Sequence, residues 1–428
     1  MPLKILISGA GIAGNALAFW LSRLGHSITV IERASSLRTS GLQIDLRGPG
    51  IEVLRRMGLE EAFRKKIVEE QGLRLVDKKG KDWGYFPANK SGKGLQSFTT
   101  DYEIMRGDLC RLLFDACKDK VEFRFGSSVV GINQNEKEVE VRFSDGNVDK
   151  FDLVVGADGL WSRTRRLMLG VDISNDDANP GYHPLNVFAG YCTIPRDIDA
   201  SEGYDATAFL TTGSRGIMTR RHDPHWYQAY VFCNPASSVR LQNAERGDVE
   251  AEKHGMADVF RGAGWDCERI LQGLVESDDF YCERMGVVKL DQWYSGRVAL
   301  AGDAAHCPSA MTGMGTSSAM AGVYILAGEI GRHCGPGSGS SKENITAALQ
   351  EYDRKFRPFV DEIQKGLTDR ENYMDRFPSS SFGIGCIYYM FWIASLLRLD
   401  VLAHWLLRES VSGWALPKYS EMDVAKRD

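Results

Sequence analysis

The chain has 428 residues, of which 43% are hydrophobic and 25% charged, and its formal net charge at pH 7 is -5. This length exceeds the usual size of one compact core and indicates two domains. The composition is typical of a globular protein, and no basic block of the kind that a polyanionic partner requires is present. We therefore expect no nucleic-acid partner.

The nine cysteines form no C-x-x-C pair and no cysteine–histidine spacing of the kind that binds zinc. Free thiols are typical of a reducing compartment. The sequence therefore predicts free cysteines, no metal site and a cytoplasmic location. The apolar N-terminus has no basic leader, so it is interpreted as a first strand rather than a signal peptide.

The segment "LKILISGAGIAGNALAFWLSRLGHSITVIERA" (3–34) predicts a strand, a turn, a helix and a second strand. The turn contains Gly9, Gly11 and Gly14, which would let the backbone approach a pyrophosphate at the N-terminus of the helix. The second strand ends at Glu32, whose carboxylate would accept hydrogen bonds from ribose hydroxyls and repel a 2′-phosphate. The pattern predicts a dinucleotide site that favours FAD or NAD over NADP.

The following elements alternate between helix and strand. The periodicity predicts a helix over 51–67 and another that begins at Arg106. Strand patterns follow at 121–132 and 139–143, and Asp145-Gly146 is a hairpin turn signal. "FDLVVGADGLWSRTRRLM" (151–168) predicts a buried strand that enters a Gly-Ala-Asp-Gly turn.

From 182 to 281 the pattern changes to alternating strands, which predicts an inserted antiparallel sheet. The predicted fold class is α/β, with a Rossmann-like domain formed by 1–181 and 282–370, a β-sheet substrate domain at 182–281 and a C-terminal helical region at 371–428. The stretch 334–344 is interpreted as a Gly/Ser loop. The 16 uncharged residues 382–397 are too few to span a bilayer and predict a buried or interfacial helix, so we expect no membrane association.

A second glycine-rich segment, "GDAAHCPSAMTGMG" (302–315), follows an apolar run. Together with an N-terminal dinucleotide loop, it suits a cofactor that extends beyond its pyrophosphate. FAD has a ribityl chain, and the Asp303 carboxylate would accept hydrogen bonds from its hydroxyls. The small residues through Gly313, Met314 and Gly315 would let backbone amides approach the flavin ring.

Three separated motifs give the chain a family resemblance. They are "GAGIAG" with Glu32-Arg33, "GADGLWSRTR" with the spacing D-G-x-x-S-x-x-R, and "GDAAH". The chain resembles the single-component FAD-dependent aromatic hydroxylases, the class of para-hydroxybenzoate hydroxylase and of the tetracycline-inactivating monooxygenases. The likeness covers most of residues 1–370 in order and spacing.

The resemblance implies one noncovalent FAD per chain. Its cofactor-binding residues would be Gly9, Gly11, Gly14, Glu32, Arg33, Asp45, Arg106, Asp158, Asp303, Gly313, Met314 and Gly315. Two of these residues have an alternative interpretation. Asp45 would equally suit a turn carboxylate, and Asp158 would equally suit an aspartate that caps its turn. His306 would orient its loop rather than transfer a proton. The chain departs from the family at Cys307-Pro308-Ser309-Ala310, where a Pro-Pro pair is common, which puts a backbone contact to substrate in doubt.

The implied reaction uses NAD(P)H to reduce FAD and O2 to form a flavin C4a-hydroperoxide, which transfers one oxygen atom to an electron-rich aromatic or polycyclic metabolite. The substrate candidates are Phe188, Arg215, Tyr227 and Tyr230. The three aromatic residues would equally suit positions in the core, and Arg215 would equally suit a surface cation. Epoxidation and Baeyer–Villiger oxidation remain alternatives within the same fold. A halogenase is disfavoured because W-x-W-x-I-P is absent. An NAD-dependent dehydrogenase would leave Gly302-Asp303 unexplained, and a non-catalytic FAD-binding regulator stays open.

Overall fold

The computed structural model of the chain describes residues 2–39, 41–88, 101–175, 178–200, 202–335, 341–369, 373–376, 378–398 and 413–423. The strands are β1 Lys4–Ser8, β2 Ser27–Glu32, β3 Gln43–Asp45, β4 Gly72–Val76, β5 Asp82–Pro87, β6 Glu103–Met105, β7 Glu122–Phe125, β8 Val129–Gln134, β9 Val139–Phe143, β10 Val148–Phe151, β11 Leu153–Gly156, β12 Tyr182–Pro195, β13 Asp205–Thr211, β14 Arg215–Arg220, β15 Trp226–Cys233, β16 Tyr281–Val288, β17 Tyr294–Ser295 and β18 Val298–Leu300. The helices are α1 Ile12–Arg23, α2 Pro49–Arg56, α3 Glu60–Arg64, α4 Arg106–Asp115, α5 Arg163–Met168, α6 Val239–Asn243, α7 Val249–Phe260, α8 Cys267–Glu276, α9 Asp303–His306, α10 Gly315–His333, α11 Lys342–Gln364 and α12 Ser381–Leu396.

A six-stranded sheet in the order β17-β18-β11-β1-β2-β7 forms the first layer. Its strands are parallel except for β17, which pairs antiparallel with β18. Strands β1 and β11 are almost fully buried because helices cover the sheet. The main hydrophobic core lies between this sheet and helices α1, α10 and α11, around Trp20, Tyr324 and Phe356. This confirms the predicted α/β class with a Rossmann-like unit.

A seven-stranded sheet in the order β16-β12-β15-β14-β13-β4-β5 forms the second layer, antiparallel except for β13 with β4. Strands β4, β5 and β16 show that it extends beyond the predicted 182–281 segment. One face of this sheet, which we call the helix face, packs against α6, α7 and α8 around Phe209, Met256 and Phe260. Those three helices interrupt a stretch for which the sequence analysis predicted only strands.

The opposite face, which we call the inner face, is lined by Ala189, Tyr191, Tyr230 and Met285. It packs toward Leu42, beside the start of α4, and toward Met311, in the loop before α10. The inner face therefore points at the loops that the sequence analysis assigned to the cofactor.

Two helix predictions need correction. The predicted helix over 51–67 consists of α2 and α3, because Gly58 adopts a φ of +72° that ends the first helix. Helix α12, Ser381–Leu396, begins one residue before the predicted 382–397 segment. Of the two predicted alternatives, a buried helix is wrong, because only Tyr388 is buried, while Phe382 is 83% and Leu396 68% exposed. No helix in the described part of the chain is both long and apolar enough to cross a membrane.

Parts of two further predictions, the loop at 334–344 and the helical region at 371–428, lie outside the described residues. The last described stretch, 413–423, packs on the main core. There Trp414 donates from Nε1 to the Lys355 carbonyl at 2.8 Å, and Tyr419 donates to the buried carboxylate of Glu329. All nine cysteines are free thiols.

Candidate cofactor and substrate site

The carboxyl ends of four neighbouring parallel strands carry the acids and glycines that the sequence singles out. Gly9 follows β1, Glu32 ends β2, Asp158 follows β11 and Asp303 follows β18. Backbone hydrogen bonds of 2.8 Å join these loops, from Gly9 to Ile31, from Ala157 to Ser8 and from Ala301 to Gly156. In open α/β sheets, ligands bind at this edge.

The glycine loop forms a tight turn that is open on one side. Gly9 has a φ of +109°, and a side chain there would lie 2.5 Å from the Ala157 carbonyl oxygen. A Cβ at Gly14 would lie 1.8 Å from the Gly9 carbonyl oxygen, so α1 crosses close to the turn. At Gly11, by contrast, no atom lies within 4 Å of the Cβ position. Free space at a helix N-terminus fits the pyrophosphate of a dinucleotide.

Glu32 shapes this loop with both carboxylate oxygens. Oε2 accepts the Ala10 N–H at 3.1 Å, and Oε1 accepts the Ala34 N–H at 3.0 Å. A carboxylate oxygen has more than one acceptor site, so these bonds leave capacity for ribose hydroxyls. Arg33, the next residue, is exposed at the same edge.

Asp158 makes the capping contacts that the sequence analysis held open as an alternative. Its carboxylate accepts the hydroxyl of Ser162 and both the N–H and the hydroxyl of Thr164, the last two at 2.9 Å. These bonds fix the start of α5. The Asp158 side chain remains half-buried, and Gly159, with a φ of +79°, has no atom within 4 Å of its Cβ position.

Arg165 links this turn to the second glycine-rich segment. Its guanidinium is fully buried and donates to the Ala304 carbonyl at 2.7 Å and the Leu160 carbonyl at 2.6 Å. Burial lowers its pKa to about 10, against the opposing effect of Asp158. Arg165 therefore positions α9, the short helix that begins with Asp303.

Asp303 is half-buried at the start of α9. Burial raises the pKa of its carboxyl, while a hydrogen bond from Cys307 and the charges of Arg106 and Arg165 lower it. Gly302 has a φ of +60°, and a Cβ there would lie 2.9 Å from the Ala13 Cβ, so this loop touches α1. A carboxylate at the junction of the two glycine-rich segments fits a cofactor that spans both, as FAD does.

His306 points away from this edge into the core. Its ring lies 4.8 Å from the ring of Trp293, and Nε2 lies 3.3 Å from the Tyr352 hydroxyl. Burial lowers the pKa of His306 to about 3, so the ring is neutral. The His306 ring therefore contacts the core rather than the cofactor edge, and its orienting role stays a prediction.

The loop after α9 has a backbone that a Pro-Pro pair would not allow. Ser309 is fully buried with a φ of +64°, a region that proline cannot adopt. Gly313 also has a φ of +64°, and the N–H of buried Met314 donates to the Thr312 hydroxyl at 3.1 Å. Gly315 begins α10, and no atom lies within 4 Å of its Cβ position. The N-terminus of this 19-residue helix is thus accessible to a ligand.

Arg106 and Asp45 lie beside this loop on α4 and β3. The N–H of Arg106 donates to the Leu42 carbonyl at 2.9 Å. Its guanidinium is close enough to Asp303 to lower the pKa of that carboxyl. Asp45 forms an ion pair with Arg47, whose N–H donates to the Ser317 hydroxyl of α10 at 2.8 Å.

The four substrate candidates separate onto the two faces of the seven-stranded sheet. Phe188 and Tyr227 pack with the helix-face core, and Arg215 donates to the Val259 carbonyl of α7. Tyr230 lies on the inner face, with its ring 5.6 Å from that of Tyr191. Neighbouring strand residues point to opposite faces, and the sequence does not reveal which face meets the cofactor. Of the four, only Tyr230 faces the cofactor loops.

Glu283, which was not predicted from the sequence, lies on β16 opposite Ala189 of β12 and therefore on the inner face. Its carboxylate accepts the Tyr191 hydroxyl at 3.3 Å. Burial and the charge of Asp303 raise its pKa to about 7, while Tyr191 and Arg106 act in the opposite direction. The only signal in the sequence is a glutamate two residues after Tyr281 in a strand-like stretch.

The chain belongs to the family described as "FAD binding domain", whose profile matches residues 3–364. It is 45% identical over 432 residues to the FAD-dependent monooxygenase asL4 of Sarocladium schorii, with 99% of each chain covered. It is 39% identical over 402 residues to the flavin-dependent monooxygenase eupH of Phoma sp, with 90% of each chain covered. Its structure matches that of the tetracycline destructase Tet(51) with a TM-score of 0.73 and 29% identity, covering 98% of this chain and 100% of the other.

These comparisons confirm the predicted resemblance. The chain is a FAD-dependent monooxygenase, an oxidoreductase, and FAD is its cofactor. The dehydrogenase and non-catalytic alternatives are therefore not supported.

Proposed function

We propose that the protein uses NAD(P)H and O2 to insert one oxygen atom into an electron-rich aromatic or polycyclic metabolite. The observation that carries this proposal is the aromatic inner face. The Tyr191 ring lies 4.8 Å from the Tyr281 ring, 5.6 Å from the Tyr230 ring and 6.3 Å from the Phe232 ring. Aromatic side chains with polar ends suit a planar, partly polar ligand. Epoxidation or Baeyer–Villiger oxidation by the same fold is the alternative outcome.

Bound FAD supplies the redox chemistry, while the chain supplies binding, orientation and exclusion of water. We propose that Gly9, Gly11, Gly14, Glu32 and Arg33 hold the adenosine and pyrophosphate. The ribityl and flavin portions would contact Asp45, Arg106, Asp158, Asp303, Gly313, Met314 and Gly315. Substrate would lie between these loops and the inner face of the seven-stranded sheet.

We infer that NAD(P)H binds only transiently, because the chain has one dinucleotide fingerprint and FAD occupies it. Gating of reduction by substrate would avoid wasting reductant. Flavin reduction is expected to be at least about tenfold faster with substrate bound, which corresponds to roughly 1.4 kcal/mol in the barrier. Anaerobic stopped-flow at the flavin absorbance band measures this, and equal rates with and without substrate contradict it.

The proposal is tested by screening aromatic and polycyclic compounds for stimulated oxidation of NAD(P)H, with mass analysis of the products. A gain of one oxygen atom supports it, and stimulation without an oxygenated product contradicts it. Tyr230→Phe and Tyr227→Phe form a matched pair, since both residues are buried tyrosines on β15 but on opposite faces. We expect the first to change KM for the substrate and the second to leave it unchanged.

A further inference from the structure

We propose that Glu283, oriented by Tyr191, accepts the hydroxyl proton of a phenolic or enolic substrate. This inference rests on the proposed aromatic substrate and narrows its class to compounds with an ionisable hydroxyl on the reacting ring. It also assigns a proton-accepting role to a residue outside the cofactor motifs.

The position of Glu283 in the fold supports this role. It lies on the inner face, two residues after Tyr281, and the residue opposite it on β12 is the small Ala189. It is also half-buried, as a side chain that lines a cleft is. The carboxylate thus borders both the aromatic surface and the loop that carries Asp303.

Hydrogen bonding leaves this carboxylate able to receive a further donor. The Tyr191 hydroxyl donates to Oε2 at 3.3 Å, and burial raises the pKa of Tyr191 well above its usual value, so it remains a donor. A carboxylate has about four acceptor positions. A substrate hydroxyl above the tyrosine rings would therefore find a base that Tyr191 holds in place.

The charged groups that act on Glu283 are Asp303 on α9 and Arg106 on α4. Within the described part of the chain, the other titratable groups on which its charge acts are Tyr182 and Tyr191 on β12, Tyr281 and Cys282 on its own strand, and Cys307 after α9. Burial raises the pKa of each of these five. They therefore stay protonated near neutral pH, and Glu283 changes charge near pH 7, where its pKa lies. A general base works best with a pKa near the operating pH.

The proton transfer is balanced without a redox partner. The O–H bond of the substrate breaks, the proton moves to a carboxylate oxygen of Glu283, and the electron pair stays on the substrate oxygen. The resulting phenolate or enolate has more electron density at the neighbouring ring carbons than the neutral hydroxyl form. That form suits transfer of an electrophilic oxygen atom.

The test measures ligand binding to oxidised, FAD-loaded enzyme without reductant, so it does not depend on turnover. The probes are 1-naphthol and resorcinol, with their O-methyl ethers as controls, and binding is followed by perturbation of the flavin absorbance between about pH 5.5 and 8. The phenols remain neutral in this range, since an ordinary phenolic pKa is about 10. Only the ionised carboxylate accepts the hydroxyl proton, so affinity for the phenols should rise about tenfold or more as the pH passes through the pKa of Glu283.

Glu283→Gln should remove this rise, and Tyr191→Phe should shift it along the pH axis, with FAD content and folding unchanged. Glu252→Gln is the matched control, because Glu252 is a fully buried glutamate on α7, behind the helix face, whose pKa burial also raises. It should leave the rise intact. The proposal is overturned if neither phenol binds, if phenols and methyl ethers show the same pH dependence, or if Glu283→Gln keeps the rise. Failure of oxygen insertion with an intact rise would instead contradict the proposed function.

Discussion

The guanidinium of Arg165 donates to the main-chain carbonyl of Ala304 at 2.7 Å and so ties the end of the Asp158 turn to the helix that begins with Asp303. The same guanidinium reaches the Leu160 carbonyl at 2.6 Å. Two sequence motifs that lie more than a hundred residues apart are thereby held in one arrangement. A lysine ends in one compact ammonium, which does not reproduce the planar set of donors that the guanidinium offers to these two carbonyls.

Arg165→Lys should therefore weaken FAD binding indirectly, because Arg165 holds together the two loops that would contact the cofactor. Hydrogen bonds to a charged group are worth about 1.5–3 kcal/mol each, so the dissociation constant for FAD should rise at least about tenfold. Fluorescence titration of apoprotein with FAD measures it. Arg163→Lys on the same helix is the control, since the Arg163 guanidinium donates to the Ser128 hydroxyl at 3.2 Å rather than to the Asp303 helix. Unchanged FAD affinity in Arg165→Lys would contradict the positioning role.

Asp303→Ala should lower FAD affinity because it removes a proposed acceptor for the ribityl hydroxyls. One buried hydroxyl left without a partner costs about 1–3 kcal/mol, or roughly 5- to 150-fold in affinity. Equilibrium dialysis against FAD measures the loss. Asp278→Ala, in an exposed turn before β16, should retain full affinity. Wild-type FAD affinity in Asp303→Ala would show that this carboxylate does not hold the cofactor.

Tyr388→Phe should loosen α12. The Tyr388 hydroxyl lies 2.7 Å from the Val76 carbonyl oxygen and 2.8 Å from that of Leu210, which anchors the helix to the seven-stranded sheet. Loss of about 1–2 kcal/mol would speed hydrogen exchange of residues 381–396 by roughly 5- to 30-fold. Tyr389→Phe is the matched control, since Tyr389 is the next residue on the same helix and its side chain is 56% exposed. Equal exchange in both variants would mean that Tyr388 does not anchor α12.

Acid should destabilise the fold through His26. Its Nδ1 accepts the Leu3 N–H at 3.1 Å, and burial lowers its pKa from 6.5 to about 4, against the opposing charge of Asp152. Between about pH 6.5 and 4, His26 binds a proton in the unfolded chain but not in the folded chain. The stability that neutral His26 contributes is therefore complete above about pH 6.5 and is lost as the pH falls through about 4. It amounts to about 3 kcal/mol.

Urea unfolding at several pH values measures this contribution, with His26→Asn as the variant, since asparagine can still accept the Leu3 N–H. The variant should lose less stability than the wild type between about pH 6.5 and 4. His225→Asn is the control, because His225 is exposed and its pKa is raised by Asp197. A wild-type pH dependence in His26→Asn would refute the assignment.

The strand–turn–helix unit at the N-terminus was predictable because local rules fix it. Glycine spacing indicates the turn at Gly9, and Glu32 at the end of the second strand lies about 20 residues further on, as the fingerprint requires. The break at Gly58 was missed because periodicity continues across one glycine. The helices at 239–276 were missed because alternating strands dominate the surrounding sequence.

The residues that line the proposed substrate site were not predictable, because their positions depend on long-range strand pairing. Alternation tells which residues share a face but not which face meets the cofactor, so Phe188 and Tyr230 were indistinguishable candidates. Glu283 reaches the site only through the pairing of β16 with β12, more than ninety residues earlier in the chain. No local pattern marks such a residue.

The most direct test of the central claim is a single turnover in which the chemically reduced, FAD-loaded protein is mixed with ¹⁸O2 and an aromatic compound from the screen. Mass spectrometry then compares the organic product with the hydrogen peroxide released. The account predicts a product that carries one ¹⁸O atom, in an amount close to that of the enzyme, with little peroxide. Flavin reoxidation that gives only peroxide with every compound that binds, or a product whose new oxygen comes from water, would contradict it.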